Sequence, residues 1–383
     1  MSAACVVAAA SGILGAGFAA YAVAQPAPTA PVPEPLCVPV DRELEELSGL
    51  AMVGDAVYAV PDGGSSVAVA EMANVLAGDC SVTRWIRNEL NPYDPEDLTA
   101  RGDTLWVADI GDNNAQRDTV ALIRVDPDSG AAQLHRMHYP DRARDAETIL
   151  LDRRGMPIIV SKGIGVGEVF VPEGGHMTVD ELPSPGPIPL EQVATLTFQM
   201  TDTPGGPIGA FSSVLPTGGA VNDAGTIAAV RTYTDVHLYA DASGDLVTAL
   251  QRAPIIIPLP GEPQGEAIAF TATGDLLSGS ELGFPITGDP NRPPEDTSPL
   301  PPIQILRGVE DYVWSVQAQD EPDVLPSEPD NNAASGDSKA ADHNATSDGP
   351  LAVVRDRAIA LGVGVGVAVL IGGATAVLWR RRG

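Results

Sequence analysis

The sequence predicts an all-β fold, a five- or six-bladed β-propeller, followed by one C-terminal transmembrane helix. Three observations lead there. Residues 36–316 consist of short Val, Ile, Leu, Tyr and Trp runs punctuated by Asp-Gly, Gly-Gly and Pro, with no long 3.6-residue period. A short pattern recurs near positions 48, 96, 147, 219 and 266, three spacings falling at 47 to 51 residues and one at 72. Finally, Ala358 to Trp379 holds 22 residues without a charge, enough at about 1.5 Å per residue to cross a bilayer core.

Each repeat unit opens with a polar residue and an aliphatic run, then continues into a second run. Unit one reads Ser48-Gly49-Leu50, then Tyr58-Ala59-Val60-Pro61-Asp62. Unit two reads Pro95-Glu96-Asp97-Leu98, then Leu105-Trp106-Val107-Ala108-Asp109. Unit three reads Ala146-Glu147-Thr148-Ile149, then Ile158-Ile159-Val160-Ser161-Lys162. Unit four is fainter: Gly219-Ala220-Val221, then Ala228-Ala229-Val230-Arg231. Unit five reads Gly265-Glu266-Ala267-Ile268, then Leu276-Leu277-Ser278-Gly279-Ser280-Glu281. Third and fourth runs follow, so four strands per period in the forties match a propeller blade. The 72-residue spacing leaves room for a sixth blade. The segment around Cys37-Val38-Pro39-Val40 is expected to join the last blade and close the ring. A β-sandwich is the rival architecture, but it gives no reason for the repeat.

The ends set the expected address. Met1–Ala24 is uncharged and rich in Ala, Val and Gly, and Ala22-Val23-Ala24 has the small-x-small form of a signal-peptidase site. Residues 25–35 read as a Pro-rich spacer, 36–316 as the propeller ectodomain, 317–349 as a disordered stalk and 350–357 as a juxtamembrane stretch. The transmembrane helix is placed at 358–379 and a basic cytoplasmic tail at 380–383, where Arg380, Arg381 and Arg382 obey the positive-inside rule. The expectation is a single-pass, type I protein of the cell membrane with its domain outside.

Charge narrows the partners. The chain carries 51 acidic and 22 basic residues, a formal charge of −29. Such a surface repels phosphate backbones and excludes nucleic acid, while it attracts cations such as Ca2+. The expected partners are the membrane, an envelope protein or a small-molecule ligand. With Cys5 in the N-terminal apolar segment, Cys37 and Cys80 remain as one pair in an exported domain. A disulfide is the default reading there, and two buried free thiols are the alternative.

Chemistry is sought where a propeller's inner strands begin. Glu96, Glu147 and Glu266 occupy equivalent positions and are expected to converge at one channel mouth, with Ser48 and Gly219 in the other two units. Asp62, Asp109, Lys162, Arg231 and Glu281 close the second runs, and of these Asp62, Lys162, Arg231 and Glu281 are expected to line the channel with Ser48. Convergent carboxylates suit a hard divalent cation. The Asp109-Ile110-Gly111-Asp112-Asn113 loop adds Asp109 and Asp112 as candidate ligands. The bland reading is that acidic side chains at strand starts accept backbone N–H bonds and hold the ring together. No Gly-x-Ser-x-Gly elbow, zinc-type Cys/His spacing or phosphate loop occurs.

These segments resemble a known group. Ser48-Gly49-Leu50 with Tyr58-Ala59-Val60-Pro61-Asp62, Asp94-Pro95-Glu96-Asp97-Leu98 with Ala108-Asp109-Ile110-Gly111-Asp112-Asn113, Arg144-Asp145-Ala146-Glu147 and Gln264-Gly265-Glu266-Ala267 look like bacterial exported propellers. That group lies near the phytase-like, esterase-like, NHL and lactonase-type propellers. The resemblance implies the fold over most of 36–316. In lactonase-type propellers a first-blade glutamate is a metal ligand, and Ser48 stands at that place here. The lead expectation is a surface binding or scaffolding module. The alternative is a metal-dependent hydrolase of esters, lactones or phosphoesters.

Overall fold

The structure, a computed structural model, describes residues 28–283 and 298–320. The chain starts with β1 (Glu34–Cys37) and then builds four blades in order. Blade 1 is β2 (Leu47–Val53), β3 (Ala56–Pro61), β4 (Val67–Met72) and β5 (Arg84–Asn88). Blade 2 is β6 (Pro95–Arg101), β7 (Thr104–Asp109), β8 (Val120–Val125) and β9 (Ala132–His138). Blade 3 is β10 (Ala146–Leu151), β11 (Pro157–Ser161), β12 (Val166–Pro172) and β13 (Ile188–Thr197). Blade 4 is β14 (Pro216–Val221), β15 (Ile227–Thr232), β16 (Asp235–Ala240) and, after the short α1 (Leu246–Ala249), β17 (Ile255–Pro258). Blade 5 is β18 (Gln264–Phe270), β19 (Leu276–Glu281) and β20 (Ile303–Leu306), completed by β1 on its outer edge.

The inner strands β2, β6, β10, β14 and β18 touch one another in that order, and β18 returns to β2. The ring is therefore a closed five-bladed propeller. β1 pairs antiparallel with β20, so the closing strand is Glu34–Cys37, slightly earlier than the segment the sequence suggested. The Cys37–Cys80 disulfide then ties that strand to the connection between β4 and β5 of blade 1. Blade 3 absorbs the 72-residue spacing: its ten-residue outer strand β13 also pairs in parallel with β9, merging blades 2 and 3 into one eight-stranded sheet. No sixth blade occurs among the described residues.

Strand alternation explains the core. Successive side chains point to opposite faces. Leu105 and Val107 of β7 pack against blade 1, while Trp106 and Ala108 pack against blade 3. Both faces of each blade are thus covered, which is why the runs are continuously apolar rather than alternating. Five apolar clusters result, one between each pair of neighbouring blades. Fully burying one Leu, Val or Ile side chain contributes about 1.5–3 kcal/mol, so these clusters dominate the ring's stability.

The all-β reading does not anticipate α2 (Val309–Asp320), whose Val309 and Val313 close the core between blades 4 and 5. Gln317 donates to the Ala240 carbonyl at 3.2 Å, so the stretch read as a stalk begins inside a docked helix. Among the described residues no helix is long and apolar enough to cross a membrane. The segments read as signal (1–24), juxtamembrane stretch, transmembrane helix (358–379) and basic tail lie outside the described residues.

Candidate functional site

Every inner strand begins with the same irregularity. The register slips between Leu47 and Gly49, Pro95 and Asp97, Ala146 and Thr148, Pro216 and Gly218, and Gly265 and Ala267. Each slip leaves one residue unpaired: Ser48, Glu96, Glu147, Thr217 and Glu266. A bulge bends the strand and re-aims its extra side chain. Five bulges in register turn five polar side chains toward one end of the channel. The fourth-blade member is Thr217 rather than Gly219, because Pro-Thr-Gly-Gly carries no glutamate to mark the register.

The glutamates gather with acids that the repeat alignment passes over. Ligand oxygens of Asp62, Asp94 and Glu96 lie within 4.8 Å of one another, and so do those of Glu96, Asp145 and Glu147. Asp94 and Asp145 each stand two residues before a bulge glutamate, in Asp94-Pro95-Glu96 and Asp145-Ala146-Glu147. That recurring Asp-x-Glu was the available signal. Gly111 makes room for the group, since a Cβ there would collide with the Glu96 carboxylate and press within 2.7 Å of that of Asp94.

Hydrogen bonding leaves several of these oxygens unserved. Asp145 accepts from the Asp112 N–H at 2.8 Å. One Glu147 oxygen pairs with Lys162, while its other oxygen is buried without a partner. Glu96 is 3 % exposed, and no donor is placed on its carboxylate among the described residues. Burial, then the Asp145 charge, pushes the Asp94 carboxyl up to about 6. Burial, then Glu147, Asp62 and Asp94, raises Glu96 well above the carboxylate range. Burial does the same to Glu147 despite the neighbouring Lys162. Burial would lower Lys162, but Glu147 first, then Tyr233 and Glu266, raise it well above its ordinary value and keep the ammonium charged. Unmet acids of this kind either hold protons or hold a cation.

The remaining predicted residues fall into three places. Glu266 and Glu281 form a separate pair at the same mouth, bridged by Gln264, which donates to them at 3.0 and 2.6 Å. Ser48 sits between this pair and blade 2, donating to the Glu96 carbonyl at 2.7 Å and approaching Glu266 at 3.4 Å. Lys162 stands between Glu147 and the Tyr233 ring, 5.1 Å from its centroid. Asp109 and Asp112 turn away from the cluster. Asp109 accepts from the Tyr93 and Asp94 N–H groups at 3.1 and 2.9 Å and pairs with Arg117 at 3.0 Å. Asp112 accepts from the Gln116 and Arg117 N–H groups at 2.9 and 2.7 Å, capping its own turn. Arg231 does not line the channel: it is fully buried between blades 4 and 5, bound to Glu262 at 2.5 Å and Ser278 at 2.8 Å.

No protein-family model matches the chain, and no curated protein matches it. Among solved structures, a gluconolactonase from Xanthomonas campestris is 12% identical, with 68% of this chain and 71% of that one covered and a TM-score of 0.35. The virginiamycin B lyase from Staphylococcus aureus is 11% identical, with 62% and 64% covered and a TM-score of 0.32. A protein from Lactobacillus plantarum is 13% identical, with 61% and 63% covered and a TM-score of 0.32. Likenesses at this level assign no role to the chain, and the site is read from its own geometry.

Proposed function

We propose that the acidic channel mouth binds a hard divalent cation, calcium foremost, and through it an oxygen-rich small molecule. One observation carries this reading: the buried Glu96 carboxylate has no donor among the described residues, yet it stands within 4.8 Å of ligand oxygens from Asp62, Asp94, Asp145 and Glu147. A structural role for an acid at a strand start would give it N–H donors, as Asp109 and Asp112 have. Carboxylate oxygens clustered at this distance suit cations that take six to eight oxygen ligands at about 2.3–2.6 Å.

A second reading, hydrolysis of an ester, lactone or phosphoester, is favoured by Lys162 and Tyr233. They place an ammonium and a phenol beside the carboxylates, where negative charge on a substrate oxygen would be met. A bound cation with open coordination supplies Lewis acidity and an activated water. The address suggested by the terminal segments, outside the cell membrane, fits a calcium-rich surrounding and belongs to this proposal.

The test is calorimetric titration of the purified full chain, stripped of metal, with CaCl2. Saturable binding that Glu147→Gln weakens supports the reading. Absence of heat with Ca2+, Mg2+ and Mn2+ alike contradicts it. A panel of esters, lactones and phosphoesters, assayed with and without the bound ion, separates hydrolase from binding module.

A further inference from the structure

We infer that the opposite mouth of the channel binds a neutral polyhydroxylated small molecule of mono- or disaccharide size. The inference does not depend on the cation site. The hairpin turns after β2, β6, β10, β14 and β18 surround a cavity of about 450 Å3. Small-molecule sites run to about 300–1,000 Å3, so this one has room for such a ligand. Leu98 and Gly219 line it, and their N–H groups reach the Asp97 carboxylate. Asp97 therefore stands between this cavity and the acidic mouth.

The wall is made of backbone. Each inner strand lies at the end of its sheet, so one of its edges has no partner strand. That edge faces the channel axis, as the Leu98, Ile149 and Gly219 N–H groups on Asp97 show. These residues stand two places after the bulges of their blades. In an antiparallel strand every second residue turns its N–H and C=O to the same side. The next axis-facing residues are Met52, Ala100, Leu151, Val221 and Phe270, and all of them line the cavity. Their side chains turn sideways into the apolar clusters between blades, one into each. They present to the axis a ring of peptide donors and acceptors, which call for hydrogen-bond partners. A hydroxyl both donates and accepts, so a polyol matches such a ring.

Charge selects against ions. The charged side chains lining this cavity are Arg101 and Arg153 against Asp152 and Asp223. They balance, unlike the carboxylates of the other mouth. Arg101 and Asp152 are also engaged already, with Asp180 at 2.7 Å and Arg154 at 2.9 Å.

The experiment titrates the purified full chain, held in chelator, with glucose, trehalose, glucuronate and glucosamine, and follows the methionine methyl resonances. Saturable millimolar binding of glucose or trehalose is expected, tighter than that of either charged sugar. The Met52 methyl, assigned with Met52→Leu, should shift as the site fills. Ala272→Trp places an indole on an exposed turn at the cavity rim and should abolish binding, while Asp223→Ala should leave it unchanged. Circular dichroism checks that the variants fold, and the Met52 shift decides the matter if one does not. No binding of either neutral sugar leaves the cavity to water and overturns the inference. Preference for glucuronate or glucosamine, or binding that leaves the Met52 methyl unmoved, also overturns it. Binding that appears only when Ca2+ is restored assigns the sugar to the acidic mouth, which overturns this inference and leaves the cation site standing.

Discussion

The Asp97 carboxylate accepts the backbone N–H of Gly219 at 3.1 Å, joining the inner strand of blade 2 to that of blade 4. The same oxygen accepts from Ile149 of blade 3 at 2.9 Å, and the other oxygen from Leu98 at 2.8 Å. One fully buried acid therefore pins three inner strands. Gly49 keeps the waist narrow as well, because a side chain there would run into the Asp97–Leu98 peptide. Asp97→Ala strands the Ile149 and Gly219 N–H groups, and each buried unmet donor costs about 1–3 kcal/mol. Chemical denaturation should show a loss of roughly 3 kcal/mol or more; a loss within experimental error would show that the pin is dispensable.

Arg231 and Glu262 form a buried ion pair, 0 % and 2 % exposed, that also engages Ser278 and Gln304. Removing one partner leaves an uncompensated charge and costs about 3–5 kcal/mol, whereas replacing both with apolar groups costs far less. Arg231→Met should accordingly be much less stable than the double variant Arg231→Met/Glu262→Leu. If the double variant is the less stable of the two, the pair's role has been misread.

The Cys37–Cys80 disulfide spans 43 residues and fastens the ring-closing strand. Loop-closure entropy gives such a link about 3–4 kcal/mol. Cys37→Ser/Cys80→Ser should lower stability by that order, and hydrogen exchange should speed up first in Glu34–Cys37. Uniform exchange across all blades would argue against closure by β1.

His237 is buried in blade 4 against Phe198, with neither ring nitrogen hydrogen-bonded. Burial pushes its pKa down to about 4 from an ordinary 6.5. The folded state thus favours the neutral ring. Its contribution is intact above pH 6.5 and is lost as pH falls from there toward about 4. The full loss is roughly 3 kcal/mol, at 1.36 kcal/mol per pKa unit. His237→Leu should flatten the stability profile across this window. An unchanged slope would assign the acid sensitivity to other groups.

Much of this architecture is written locally. The repeat of a polar residue before an aliphatic run marks each inner strand, so the propeller and the convergence of Glu96, Glu147 and Glu266 follow from spacing. Thr217 escapes because its bulge is built from backbone register, which leaves no side-chain signature in Pro-Thr-Gly-Gly. Asp94 and Asp145 sit in the loops entering the strands, where strand periodicity says nothing about direction. Arg231 is misread for a non-local reason: its partner Glu262 lies 31 residues on, and only the packing of blade 4 on blade 5 brings them together. α2 is faint because only Val309 and Val313, one helical turn apart, are fully buried, while Tyr312 and Trp314 pack against the core from its edge. Asp109 and Asp112 have the composition of cation ligands, but backbone N–H groups reach them first, those of Tyr93 and Asp94 on Asp109 and those of Gln116 and Arg117 on Asp112.

The central claim is that the carboxylates around Glu96 exist to hold metal. Elemental analysis of the full chain, purified without chelator and then exchanged into Ca2+-containing buffer, tests it most directly when paired with the Glu96→Gln variant. Stoichiometric calcium in the wild-type chain, absent or sharply reduced in a folded variant, is the predicted result. No metal in either would show that these acids are held neutral by shared protons instead, and equal content in both would place the metal away from Glu96.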